Sequence, residues 1–231
     1  MNMAGSHKSA NPPRRRSVGR PRSGAVDVRA KLIDAALAQF ARTGIRASSL
    51  RVVADVAGVT PAMLHYYFGN KRQMTLAVIE ERLLPALAPL RGRIQDAGGT
   101  PAELVRAFVD GIGAVIAAHP WLPSLWVREV LSESGALRDT LLKRVFPQLP
   151  LVLVRRFQVA QAQGQLAADL DPRLLVVSLV GLTLFPAAGA PIWRQALDAQ
   201  DLDAEALRRH TLALLDHGVA ASQIAPGRKR P

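Results

Sequence analysis

The chain has 231 residues, 49% hydrophobic and 21% charged, which allows one large domain or a small head with a body and argues against wholesale disorder. It contains no cysteine, so disulfides and thiolate metal sites are excluded and a reducing cytosol suits it. The net charge of +12 is concentrated at the ends. Six bases and no acid lie in residues 1–24, and Arg228, Lys229 and Arg230 lie near the C-terminus, leaving about +3 for the rest. Basic tails of this kind attract polyanions, nucleic acid first and anionic membrane second, or simply keep a chain soluble.

Residues 1–24 are rich in Ser, Gly, Pro and Arg and are expected to form a disordered basic arm. No apolar run follows the bases, so no signal peptide is expected. Within the arm, Gly19-Arg20-Pro21-Arg22 resembles an AT-hook, whose extended arginines lie in a narrow A·T minor groove. Val28–Thr43 carries Ile33, Ala36, Leu37 and Phe40 at helical spacing and predicts a supporting helix ended by Gly44.

A second helix follows Ser48 or Ser49 as N-cap and turns Leu50, Val53, Ala54 and Ala57 inward. Gly58 permits a tight turn, Thr60 caps the next helix and Pro61 occupies its first position. Val59 and Leu64 have the spacing of a hydrophobic staple. On this third helix Leu64, Tyr67 and Phe68 can face the other helices, while Pro61, Ala62, His65 and Tyr66 share the opposite side. A short outward face, small at its start and aromatic further on, suits a recognition helix in a major groove. An ordinary helical hairpin is the plainer alternative. Asn70 caps a fourth helix, whose first residue, Lys71, lies where a phosphate could sit.

The run from Arg51 to Thr60, with Tyr67-Phe68-Gly69-Asn70-Lys71, resembles the DNA-binding head of the tetracycline-repressor (TetR) family, and the likeness covers residues 28–76. The resemblance implies an all-α fold with a three-helix head and a larger helical domain, and a cytoplasmic, homodimeric repressor released from operator DNA by a small effector. By position it implies that Ser48 and Ser49 cap helix two and touch phosphate, that Arg51 reaches a base or phosphate, and that Thr60, Pro61, Ala62, His65, Tyr66, Tyr67 and Lys71 contact the operator. At 65 the family usually has tyrosine; an imidazole N–H could replace the hydroxyl. The organisation expected is an arm at 1–24, a helix-turn-helix domain at 25–74, an effector and dimerisation domain at 75–222 and a basic tail at 223–231.

Beyond Glu81, Pro85, Pro89 and three glycines predict that the fourth helix ends or kinks. Thr100 to Glu103 reads as a capping box with proline at the first position, opening a helix with Leu104, Val105, Phe108, Val109, Ile112 and Ile116 on one face. Trp121–Ser134 predicts a helix whose apolar stripe of Leu122, Leu125, Trp126 and Val130 includes Glu129 and Glu133. These carboxylates either meet a polar part of an effector, pair with arginines such as Arg106 or Arg155, or lie at a dimer rim. The candidate effector pocket comprises Phe108, Ile112, Trp121, Leu125, Trp126, Glu129, Glu133 and Phe157, although the tryptophans are equally core residues.

Leu151–Gln163 predicts a helix ended by Gly164. Residues 174–193 contain no charge over 20 positions, long enough to raise a membrane span. Pro186, Pro191, Gly181 and Gly189 argue against one, and Pro172–Phe185 reads as a helix buried all round, on its own domain and a partner subunit. Asp203–Ala220 closes the fold, and the resemblance implies a homodimer through the two C-terminal helices, with no membrane association. No catalytic motif or metal-ligand spacing is present, so neither an enzyme, a metal site nor a cofactor is expected. An architectural DNA-binding protein without an effector is the alternative function.

Overall fold

The computed structural model describes residues 23–133, 135–145 and 147–219, with side chains from 28 to 216. The AT-hook-like Arg20 and Arg22 and the tail at 223–231 lie outside them. The described residues form helices: α1 (Ser23–Thr43), α2 (Leu50–Ala57), α3 (Pro61–Phe68), α4 (Lys71–Val78), α5 (Leu84–Asp96), α6 (Pro101–Ala118), α7 (Leu122–Trp126), α8 (Arg138–Arg144), α9 (Pro150–Ala162), α10 (Pro172–Ala196) and α11 (Ala204–Val219). The fold is all-α, a three-helix head followed by a larger helical body.

In the head, α1 packs on α2 and α4, and α2 on α3. Leu32, Ile33, Ala36, Val53, Ala54, Leu64 and Met74 are fully buried at the centre. Gly58, at φ 68°, lets its own N–H and that of Val59 return to the carbonyls of Asp55 and Ala54, closing α2 before Thr60 opens α3. The supporting helix starts at Ser23, earlier than Val28.

The fourth helix does not stop at its prolines. A π-helical turn, Ile79–Leu83, joins α4 to α5, so that Leu84 N–H reaches back five residues to Ile79 O. The wider turn stands immediately before Pro85, which has no N–H to give. Nη1 of Arg82 donates to Glu81 O at 3.0 Å, meeting the carbonyl that a regular α-helix would pair with residue 85. Arg29 pairs with Glu81, and Arg82 with Asp34 at 2.6 Å, tying this turn to α1.

The body packs α5 and α11 on α6 and surrounds α6 with α9 and α10. Thr100 and Glu103 form the expected capping box of α6. Helix α7 is shorter than Trp121–Ser134: a second π-helical turn, Val127–Leu131, ends at Ser132. The phase therefore changes, and Glu133 is exposed where an uninterrupted α-helix would have turned it inward. Helix α10 continues through Pro186 and Pro191 to Ala196. Pro186 cannot donate to Leu182 O, which instead lies 3.4 Å from the Thr211 hydroxyl of α11. Within the single chain one face of the helix is covered and the other bare. Leu175, Val176, Leu179 and Leu184 enter the core, whereas Leu174, Val177, Phe185 and Ile192 are exposed by 64–75%.

Because Leu64 is fully buried among α1 and α2 residues, Leu64→Ala is expected to destabilise the head by about 2–5 kcal/mol. Denaturant unfolding followed on the head amides by hydrogen exchange measures this, and unaltered head protection would show that α3 is held by its caps alone.

Candidate nucleic-acid interface and effector cavity

The turn that carries α2 is built from internal hydrogen bonds. Gly44, at φ 84°, ends α1 with its N–H on Phe40 O. Ser48 Oγ donates to Gly44 O at 2.6 Å and lies 3.1 Å from the Thr43 hydroxyl. Ser48 is 4% exposed and occupied within the protein, so it is not placed to touch phosphate. Ser49 is the N-cap, accepting from Val52 N–H at 3.1 Å, and is exposed.

Thr60 Oγ1 accepts from Met63 N–H at 3.3 Å and Pro61 takes the first turn of α3. Pro61, Ala62, His65 and Tyr66 are exposed together, with Tyr66 at 85%, while Leu64 and Phe68 are buried and Tyr67 is half-buried between Tyr66 and Phe68. Arg51 is exposed at the start of α2. His65 Nδ1 lies 2.8 Å from Gly69 O and must carry hydrogen to donate to that carbonyl. A neutral His65 therefore has no N–H left for phosphate, and only the imidazolium offers a second donor.

Lys71 is half-buried and its Nζ donates to Arg46 O at 2.8 Å. That contact, absent from the sequence reading, links the start of α4 to the turn before α2. Asn70 Oδ1 accepts from Gln73 N–H at 3.0 Å, completing the α4 cap. Arg46, Arg51, Lys71 and Arg72 are thus carried on the segments that flank the exposed face of α3, a basic surround for a polyanion.

In the body, α5 to α10 enclose a cavity of about 70 Å³ with no polar side chain in its lining. Phe108, Ile112, Leu125 and Trp126 line it as expected. Trp121, Phe157, Glu129 and Glu133 do not: Trp121 lies beside His119 at 5.4 Å between ring centres, and Phe157 is fully buried in the core. Leu83 of the first π-helical turn, Leu87 and Leu90 of α5, Leu137 at the start of α8, Leu141 within it and Val176 of α10 also line the walls. Their i, i+4, i+7 spacing at 83, 87 and 90 was the available signal, hidden because Pro85 and Pro89 read as helix breakers.

Glu129 is buried to 4% exposure, but neither arginine pairs with it. Its Oε1 accepts from Ile45 N–H at 2.7 Å and its Oε2 from Ala136 N–H at 3.0 Å. Arg106 instead lies 3.5 Å from Asp216. A groove of about 330 Å³ outside the cavity is bordered by Glu80, Arg91, Arg144 and Gln148 and shares Leu87, Val145 and Leu149 with its wall.

Residues 32–78 match the family model described as bacterial regulatory proteins, tetR family. The likeness to that family therefore spans the head, from α1 to α4. Over 90 residues it is 39% identical to the HTH-type transcriptional regulator BetI of Rhizobium meliloti, covering 38% of this chain and 44% of that protein. Over 121 residues it is 31% identical to RutR of Escherichia coli K12, covering 52% and 56%. The chain thus spans about half the length of the curated relatives it matches. The fold is similar over 90% of this chain to the ketosteroid transcriptional regulator KstR2 of Mycobacterium tuberculosis, and over 100% of that chain, with a TM-score of 0.64 and 21% identity.

Ser48→Ala is expected to lower the unfolding free energy by about 1 kcal/mol, because Gly44 O loses the hydroxyl and keeps only the Ser48 N–H as donor. Urea unfolding measures it, and an unchanged midpoint would mean that water replaces the hydroxyl.

Proposed function

We propose that this chain is a ligand-responsive transcriptional repressor that binds a palindromic operator in double-stranded DNA as a homodimer and is released by a small, largely apolar effector. The observation that carries this reading is the exposed α3 face of Pro61, Ala62, His65 and Tyr66, held at a fixed angle by the caps at Thr60 and Asn70. Residues 25–74 read DNA, and residues 75–222 bind the effector and dimerise. Small residues at the N-terminal end of α3 admit close approach to base edges, while Ser49, Arg51, Thr60, Tyr66, Tyr67 and Lys71 serve phosphates and bases. Lys71 does so with a charge already oriented by Arg46 O. Arg20 and Arg22 add minor-groove contacts from the arm.

The effector site is the cavity among α5 to α10. Its wholly apolar lining selects apolar surface, and at about 70 Å³ it is far below the ~300–1,000 Å³ of a typical drug-sized site. An effector of that class must push the walls apart. Occupation then favours the body conformation with the larger cavity, and the head spacing that goes with it, by the difference in affinity for the two states.

The exposed side of α10 supports dimerisation. Leu174, Val177, Gly181, Phe185 and Ile192 recur at three-, four- and seven-residue intervals along one stripe, joined by Leu214 on α11. The same helix is long and apolar enough to cross a membrane, but its opposite face is core, so the stripe meets a second copy of the chain.

Selection from random DNA with the full-length protein is expected to return a palindrome with half-sites about one helical turn apart, roughly 34–36 Å. Recovery of bent or A·T-rich DNA without a palindrome would favour an architectural role. On the selected site, Arg51→Ala is expected to weaken binding by about 1–3 kcal/mol at fixed salt, and unchanged affinity would remove Arg51 from the interface. Phe185→Glu, 69% exposed on the stripe, is expected to convert the dimer to monomer in sedimentation without loss of helix. A parent-like mass for Phe185→Glu would exclude this face.

A further inference from the structure

Glu129 stands between the cavity and the head. It lies in the π-helical turn after α7, next to Val130. Leu125, Trp126, Val130 and Leu137, on either side of it, line the cavity, and Leu137 N–H donates to the Glu129 carbonyl at 3.2 Å. Its carboxylate points the other way, with Oε1 on Ile45 N–H in the turn that precedes α2. The fit is close at both ends. A Cβ at Gly44 would come 3.0 Å from Oε1, and one at Gly135 would overlap the Glu129 carbonyl.

The turn is also bound to the DNA-reading unit. Arg46 O receives Lys71 Nζ, and the hydrogen-bonded Gly44–Ser48 turn delivers the Ser49 cap of α2. One carboxylate therefore joins a cavity wall to the segment from which α2 starts. Each of its oxygens satisfies one backbone donor, and neither donor has a spare partner to fall back on without water entering a buried site.

We propose that Glu129 is the positioning residue that fixes the head on the body, and that widening the cavity draws it off Ile45 and loosens the head. The step depends on the proposed function only in taking an effector as the natural cause of widening; the clasp itself can be tested without effector or DNA. Displacement of Val130 or Leu137 moves the π turn, and a hydrogen bond of 2.7 Å is lost within a shift of about 1 Å. Head orientation then ceases to be fixed relative to the body, which is the two-state element the cavity biases.

The test is amide hydrogen exchange on the full chain at one pH and temperature. Glu129→Gln keeps the shape but leaves only one acceptor oxygen, so Ile45 or Ala136 loses its partner. Exchange at Ile45 and along α2 is expected to rise about tenfold, with α6 and α9 unchanged. Val176→Phe enlarges the opposite wall from α10 and is expected to raise exchange in the same head amides. If that variant does not melt cooperatively, Val180→Leu, also on the cavity wall, takes its place.

In combination with Glu129→Gln, the wall variant should add nothing further, because the link it acts through is already broken. Head exchange equal to the parent in Glu129→Gln would overturn the proposal. So would equal acceleration in α6 and α9, which would make Glu129 a core stabiliser, or factors that multiply in the double variant. None of these results bears on whether the protein selects a palindrome, so failure here and failure of the regulator reading remain separable.

Discussion

A carboxylate at 4% exposure, met by two backbone N–H groups and by no arginine, is the junction on which the two parts of this molecule depend. Burying such a group without partners would be prohibitive, and pairing it with arginine would have made a local core ion pair with no reach beyond the body. Using main-chain donors instead fixes two segments of chain by their backbones, where no side-chain rotation can absorb a displacement. Ile45 and Ala136 are 91 positions apart, one in the turn before α2 and the other just before α8. The pair of bonds is therefore a constraint on tertiary placement, and the glycines at 44 and 135 are the space it requires.

A second connection runs along the chain. Helices α4 and α5, with their π turn, form one spine that begins at the Lys71 edge of the head and ends as a cavity wall through Leu83, Leu87 and Leu90. The π turn takes up the missing donor of Pro85 without breaking the spine, and the pairs of Arg29 with Glu81 and Arg82 with Asp34 fasten it to α1 at that level. The Arg82 guanidinium is held protonated above its usual range chiefly by its hydrogen bond to Asp34. Both pairs are partly exposed, so they orient more than they stabilise. The head is thus joined to the cavity walls through the covalent spine, through the packing of α1 on α7 and through Glu129, and the last of these reaches the turn before α2.

Most of the head is legible in the residues because its signals are local. Gly58, Thr60-Pro61, Val59 with Leu64, and Asn70 each act within five positions, and the caps and staple they predict need no distant partner. What escaped depends on distance or on phase. Ser48 and Ser49 are equivalent as hydroxyls, and only the turn shows that one closes onto Gly44 O while the other caps α2. Glu129 and Glu133 share a stripe only if α7 remains an α-helix; Glu129 lies inside the π turn Val127–Leu131 and Glu133 beyond its end, leaving one buried and one in solvent. The prolines at 85 and 186 also read as helix ends, yet an interior proline need not end a helix when the carbonyl it frees finds another partner. Here Arg82 serves Glu81, and Thr211 approaches Leu182.

Helix α10 shows why hydropathy alone does not separate a core helix, a membrane span and a subunit interface. Its 25 residues contain the same apolar material in each case, and the distinction lies in which sides are covered. One face, with Leu175, Leu179 and Leu184, is continuous with the core; the other, with Leu174, Val177, Phe185 and Ile192, is bare. On the core side Thr183 is satisfied within the helix, its hydroxyl donating to Leu179 O at 2.7 Å. A bare stripe backed by core is the feature on which the proposed dimer rests. The cavity takes Val176 and Val180 from this same helix, so a cavity wall and the bare stripe are two sides of one helix. Cavity, bare stripe and head are then surfaces of one packed unit, whose side chains leave little free space to absorb a change of volume in the first.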